Sequence, residues 1–186
     1  MPDNLNLNLI TFKRLFVLHL LIIFSVVAYG QKVDNTTWWN PAESDVPVIE
    51  GQGWPDAVKA PFDRLPAKAE GVVRDAVWHL SRHSADLVLR FYSSASEITV
   101  RYGIEGSPAM WHMPSTGVSG VDLYAISSDG TWQWCRGRRQ GADTISYQFT
   151  ELRTTDGYHD MGREYRLYLP LYARTTWLEI GVPEGT

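Results

Sequence analysis

Ile145-Ser146-Tyr147-Gln148-Phe149-Thr150 alternates apolar and polar side chains without a break. A strand turns successive side chains to opposite faces, so this string buries Ile145, Tyr147 and Phe149 and shows their neighbours to water. The same period recurs outward from it. Leu87, Leu89 and Phe91 alternate with Val88, Arg90 and Tyr92; Ile98, Val100, Tyr102 and Ile104 alternate with Thr99, Arg101 and Gly103. Tyr165, Leu167 and Leu169 repeat it, and Thr176, Leu178, Ile180 and Val182 close the series. Turn signals separate the runs at Ser93–Ser96, Ser128–Gly130, Gly137–Gly141 and Thr154–Gly157. Asp129-Gly130 between Tyr124-Ala125-Ile126 and Trp132-Gln133-Trp134 is the strongest hairpin signal. The period-two reading starts at Val72, with room for one short helical turn over 67–73. About eight strands at short spacing predict an all-β fold, an antiparallel two-sheet β-sandwich of jelly-roll-like type. An immunoglobulin-like sandwich is the alternative, without the Cys–Trp–Cys spacing of true immunoglobulin domains.

The chain upstream divides in two. Lys13 and Arg14 precede an apolar run from Leu15 to Val27, followed by Ala28-Tyr29-Gly30. A positive start, an apolar run and small residues at the cleavage positions predict a signal peptide over 1–30. The run is short for a membrane span and His19 interrupts it, which argues against a retained anchor. No Cys follows it, so no lipoprotein anchor is expected. The mature chain is expected outside the cytoplasm, periplasmic or extracellular, with no membrane contact after cleavage. Residues 31–66 read as an extended arm, punctuated by Pro41, Pro47, Pro55, Pro61 and Pro66. Trp38, Trp39, Val48, Ile49, Trp54 and Phe62 make it too apolar for a loose tail, so it is expected to pack on a sandwich spanning 67–182.

Composition excludes several functions. A net charge of −4 leaves no basic footprint for nucleic acid. The single cysteine, Cys135, cannot form an internal disulfide. Eight Trp and nine Tyr are unusual at this length and supply either core or flat binding surfaces. A serine hydrolase needs a nucleophile on a strained turn with a base beside it. There is no Gly-Asp-Ser block and no G-x-S-x-G elbow; Gly117-Val118-Ser119-Gly120 has the wrong spacing and Ser127–Gly130 reads as a turn. His79 and His83, four apart, would share a helix face, but the strand reading of this region removes that geometry. No metal set and no cofactor is expected. The strand acids, among them Asp86, Glu97, Asp122, Glu164 and Glu179, form no alternating pair of the kind a glycosidase uses. No catalytic residue is assigned.

The candidates that remain are for ligand or domain contact. Trp111 and His112 lie in a loop bent by Pro114, Gly117 and Gly120. Asp122 and Tyr124 share one face of the strand that follows, opposite Val121, Leu123 and Ala125. Asp122 either accepts from a buried arginine such as Arg101 or Arg136, or anchors a ligand in a groove. Trp132 and Trp134 share a face; core is the favoured reading, a sugar-stacking platform the alternative. Arg136, with Arg138 and Arg139, makes a small basic hairpin that is either solvated or set against an acidic neighbour domain.

Gly120-Val121-Asp122-Leu123-Tyr124 resembles the Gly-x-Asp-Leu-Tyr motif of the N-terminal domain of bacterial SGNH (GDSL-like) hydrolases. Trp39-Asn40-Pro41-Ala42, Val77–Ser81, Val100-Arg101-Tyr102, Trp132-Gln133-Trp134 and Tyr168–Tyr172 leading to Leu178–Val182 are similar to the same family. The resemblance implies a β-sandwich in front of an α/β esterase domain that holds the whole catalytic set. No catalytic residue carries over to this chain, and 183–186 reads as the start of a linker to that absent domain. The resemblance therefore implies a non-catalytic accessory domain of an exported esterase acting on carbohydrate esters, with a C-terminal SGNH hydrolase domain as partner and a polysaccharide as a second partner class. A freestanding carbohydrate-binding module and a complete enzyme on the sandwich are the alternatives.

Overall fold

The computed structural model describes residues 35–141, 144–152 and 162–186. The signal-peptide reading of 1–30, the Thr154–Gly157 turn and His159 lie outside them. Ten strands among the described residues form two antiparallel sheets of five. The first sheet has the order β1 (Thr36–Trp39), β10 (Arg174–Pro183), β4 (Ile98–Glu105), β8 (Ile145–Phe149), β7 (Gly137–Gln140). The second has β2 (Ile49–Glu50), β3 (Val88–Ser93), β9 (Arg163–Tyr168), β5 (Asp122–Ile126), β6 (Trp132–Cys135). The fold is the all-β, antiparallel two-sheet sandwich that the alternation predicts.

The inner faces are the ones the period selects. Ile98, Val100, Tyr102, Ile145 and Phe149 of the first sheet meet Leu89, Leu123, Tyr165 and Leu167 of the second, all nearly or fully buried. Each such aliphatic side chain contributes roughly 1.5–3 kcal/mol by leaving water. Phe91 stacks on Tyr165 at 5.6 Å and receives Trp39 at 6.2 Å from the opposite sheet. The hairpin at Asp129-Gly130 forms as read. Ile126 pairs with Trp132, Gly130 has φ of 82°, and the Asp129 carboxylate accepts from the Thr131 backbone and hydroxyl.

Three sequence expectations are corrected. Residues 35–66 do more than lie over the sandwich: β1 pairs with β10 and β2 pairs with β3, so this segment supplies an edge strand to each sheet. Edges suit a proline-rich segment, because a proline there removes no ladder bond. The stretch 72–87 is not strand. Asp75–Ser81 is an α-helix, α1, with Trp78 and Ser81 buried. The Arg64 guanidinium closes its end, donating to Leu80 O at 2.7 Å and His83 O at 2.9 Å. Beside it, buried Asp63 pairs with Arg82 at 3.0 Å and with Arg174 of β10 at 3.5 Å. Finally, Gly137–Gln140 is no turn but strand β7, in the opposite sheet from β6. The chain changes sheets at Arg136. Gly137 permits the passage, since a Cβ there would stand 2.6 Å from the Phe149 ring.

Candidate functional site

The string from Gly120 to Tyr124 divides its five side chains between the interior and one outward cleft. Gly120 follows a short helix, α2 (Ser115–Val118), which Pro114 opens. Ser119 fastens this loop from within: its hydroxyl donates to Pro108 O at 2.8 Å, and its carbonyl accepts from the Tyr102 hydroxyl at 2.5 Å. Gly120 is required by close approach. A Cβ there would lie 2.1 Å from Thr116 O and 2.7 Å from Tyr147 Oη. Val121 and Leu123 then point inward, 5% and 0% exposed. Asp122 and Tyr124 point outward, as the alternation requires.

The outward pair meets side chains from both neighbouring strands. On β6, Trp134 stands opposite Tyr124, and its indole Nε1 donates to Asp122 Oδ1 at 2.9 Å. On β9, Arg166 stands opposite Tyr124, and Tyr168 opposite Asp122. The Arg166 guanidinium lies over the Trp132 ring at 4.4 Å, and Tyr124 and Tyr168 meet edge-on at 5.6 Å. Asp122, Tyr124, Trp132, Arg166 and Tyr168, with Gly120, Leu169 and Leu171, wall a cleft of about 490 Å³, and Trp134 stands beside this lining, joined to it through Asp122. That size lies within the range of about 300–1,000 Å³ usual for ligand pockets. Its walls are mostly aromatic and aliphatic, with the Asp122 carboxylate and the Arg166 guanidinium as the charged groups.

Two expectations about these residues are overturned. Trp132 and Trp134 are not core. They share the outer face of the second sheet, and Trp134 is 56% exposed. Asp122 is not held by Arg101 or Arg136. Arg101 sits on the other sheet, paired with Glu179 at 2.6 Å and stacked on Trp38 at 3.7 Å, and Arg136 lies exposed in the crossing between sheets. The structure thus brings Asp122, Tyr124, Trp132 and Trp134 together. It leaves Trp111, His112, Trp134 and Arg136 outside the cleft lining, with Trp134 at its border through Asp122. Trp111 is 96% exposed on a turn made by the Met110–Met113 bridge, with His112 edge-on to it at 4.7 Å.

Arg166, Tyr168, Leu169 and Leu171 are cleft residues that sequence reasoning missed. The outward positions of Arg166 and Tyr168 follow from the Tyr165–Leu169 alternation, but the pairing of β5 with β9 does not. Behind Gly120, burial pushes the Tyr147 phenol up, reinforced by the Asp122 charge and opposed by Arg139. Tyr147 Oη is buried without a hydrogen-bond partner among the described residues. Burial also raises the Cys135 thiol, on the inner side of β6. Among the described residues no three His, Cys, Asp or Glu side chains gather as metal ligands. His79 lies in α1, while His83 falls beyond its end.

The geometry defines a two-sheet β domain with one cleft built around a Gly-x-Asp-Leu-Tyr string. Residues 36–186 match the family model described as GxDLY, the N-terminus of Esterase_SGNH_hydro-type. The chain belongs to this family. It is also similar to the crystal structure of a GDSL-like lipase from Bacteroides ovatus, with a TM-score of 0.67 and 24% identity. That likeness covers 81% of this chain and 42% of the other, so the chain spans less than half the length of that protein. It bears on the fold alone. No curated protein matches the sequence.

Proposed function

We propose that this chain is the accessory N-terminal domain of an exported SGNH-type esterase acting on carbohydrate esters. Hydrolysis belongs to a following α/β domain, and the motif cleft borders its substrate entrance. The observation that carries this reading is the outward placement of Asp122 and Tyr124. A family match over 36–186 is joined to motif side chains that face solvent where core packing would have turned them inward. Export rests on the Lys13-Arg14 start, the Leu15–Val27 run and Ala28-Tyr29-Gly30.

The test supplies an SGNH-type catalytic domain from the same genome on a separate polypeptide. The chain is expected to co-elute with it and to raise turnover on an acetylated polysaccharide while leaving p-nitrophenyl acetate unchanged. Failure to form a complex, or rapid p-nitrophenyl acetate hydrolysis by this chain alone, would overturn the reading. A second reading, a freestanding carbohydrate-binding module, is favoured by one observation, the exposure of Trp134.

A further inference from the structure

We propose that the cleft beside Asp122 and Trp134 is a binding site for a neutral, pyranose-based polysaccharide. The inference deepens the reading above, and rests on it for the identity of the polymer as the carrier of the ester. Four features of the cleft favour such a ligand.

The Trp134 indole is exposed yet oriented. Its Nε1–H is committed to Asp122 Oδ1 at 2.9 Å, so the ring is held by one edge while its surface stays open to solvent. An oriented ring offers a flat apolar face at little further entropic cost, which is what the C–H face of a sugar needs. The other Asp122 oxygen, Oδ2, has no protein partner among the described residues. A carboxylate oxygen beside an indole accepts from a sugar hydroxyl by a charge-assisted bond.

The tyrosines give the second polar feature. Tyr124 and Tyr168 meet edge-on, and both line the cleft.

Charge sets the class of sugar. The Arg166 guanidinium stacks on Trp132 at 4.4 Å, and Glu164 lies 3.9 Å away, so its charge is answered within the protein. Asp122 opposes an acidic sugar. A neutral chain fits this balance, and a volume of about 490 Å³ admits an oligosaccharide segment.

The test is native affinity electrophoresis of the purified chain in gels containing wheat arabinoxylan, konjac glucomannan or polygalacturonate. Retardation is expected in at least one neutral polymer and not in polygalacturonate. Trp134→Ala should weaken binding about tenfold or more, as truncation of an aromatic anchor does. Trp134→Phe should keep most of it, and Trp54→Ala, at an exposed Trp that neither lines the cleft nor bonds Asp122, should bind as the parent does. Should Trp134→Ala lose its native circular dichroism, Asp122→Asn, which keeps the side-chain shape, is expected to weaken retardation in its place. Parent chain running freely through both neutral gels, retardation in polygalacturonate alone, or undiminished binding by the folded Trp134→Ala and Asp122→Asn variants would overturn the site. Because these measurements need no catalytic domain, the site can fail while complex formation with that domain stands.

Discussion

The two outer faces of the sandwich carry the same kinds of side chain and finish them differently. On the first sheet Trp38 lies under Arg101 at 3.7 Å, and Arg101 is fixed by Glu179 at 2.6 Å. Trp177 crosses the bare backbone of Gly103, where a Cβ would stand 2.3 Å from the indole nitrogen. The Trp38 face is thus covered by its own neighbour, while Trp177 stays 40% exposed. On the second sheet one half is closed in the same manner: nearly buried Glu164 accepts from Arg90 at 2.7 Å and from the Tyr92 hydroxyl at 3.2 Å. The other half, around Asp122 and Trp134, is left open. Aromatic content therefore marks neither core nor function by itself; the distinction lies in whether the flat face of each ring is already covered.

The glycines give the largest expected contrast. In Gly120→Ala the new methyl meets the Thr116 backbone carbonyl, which cannot step aside. Urea unfolding should show a loss of about 3 kcal/mol, at the upper end of overpacking costs. In Gly103→Ala the obstacle is a 40%-exposed Trp177 side chain, which can swing into solvent, and the loss should stay near 1 kcal/mol. Equal losses would mean that the motif loop is as yielding as the first sheet's surface.

Next comes the buried acid. Glu164→Ala removes the nearly buried acceptor that Arg90 and the Tyr92 hydroxyl share and should lower stability by about 2 kcal/mol in thermal melts, as loss of a hydrogen-bonded charge does. The corresponding Glu179→Ala, in a pair about one-third exposed on both sides, should cost under about 1 kcal/mol. The indoles follow. Trp38→Ala removes the ring beneath Arg101 and should destabilise by about 1 kcal/mol, whereas Trp134→Ala should fall within about 0.5 kcal/mol of the parent by guanidinium denaturation. A large loss at Trp134 would assign it a structural task and erase the contrast.

The smallest effect lies away from both faces, at the end of α1. Burial first and the Arg64 charge second hold His83 below its usual value of 6.5. The neutral ring is thus favoured in the native state. Its contribution to stability is complete above about pH 6.5 and is lost as pH falls through the depressed value. His83→Asn should flatten the decline of melting temperature in that acidic window and change nothing at pH 8.

The sequence carries the inner faces well. Ile145–Phe149 and Ile98–Tyr102 bury the side chains that alternation selects, because one buried face forces period two. What it does not carry is pairing. That Thr36–Trp39 joins Ile180–Pro183 depends on a contact spanning nearly the whole domain, and no local pattern encodes it. Helix α1 escapes because seven residues hold too few turns to show a period, and its Arg74 cap makes no side-chain bond. For the cleft, Asp122 and Tyr124 are legible as an outward pair. Trp132 and Trp134 are legible as sharing a face, but which face is decided by the register Ile126–Trp132 across the hairpin.

The crossing at Arg136 makes the sandwich mechanically lopsided. Along one long side the two sheets are stitched by a single residue between β6 and β7, so that margin behaves as a spine. Along the other, β1 and β2 are joined through the longer segment from Asn40 to Val48, over an apolar hollow of about 610 Å³ floored by Trp39, Phe91 and Ile180. Breathing of the two sheets should pivot about the spine like the covers of a book, admitting solvent at the far margin first. The motif cleft, bordered by β6 next to the spine, then sits on the part of the molecule that moves least.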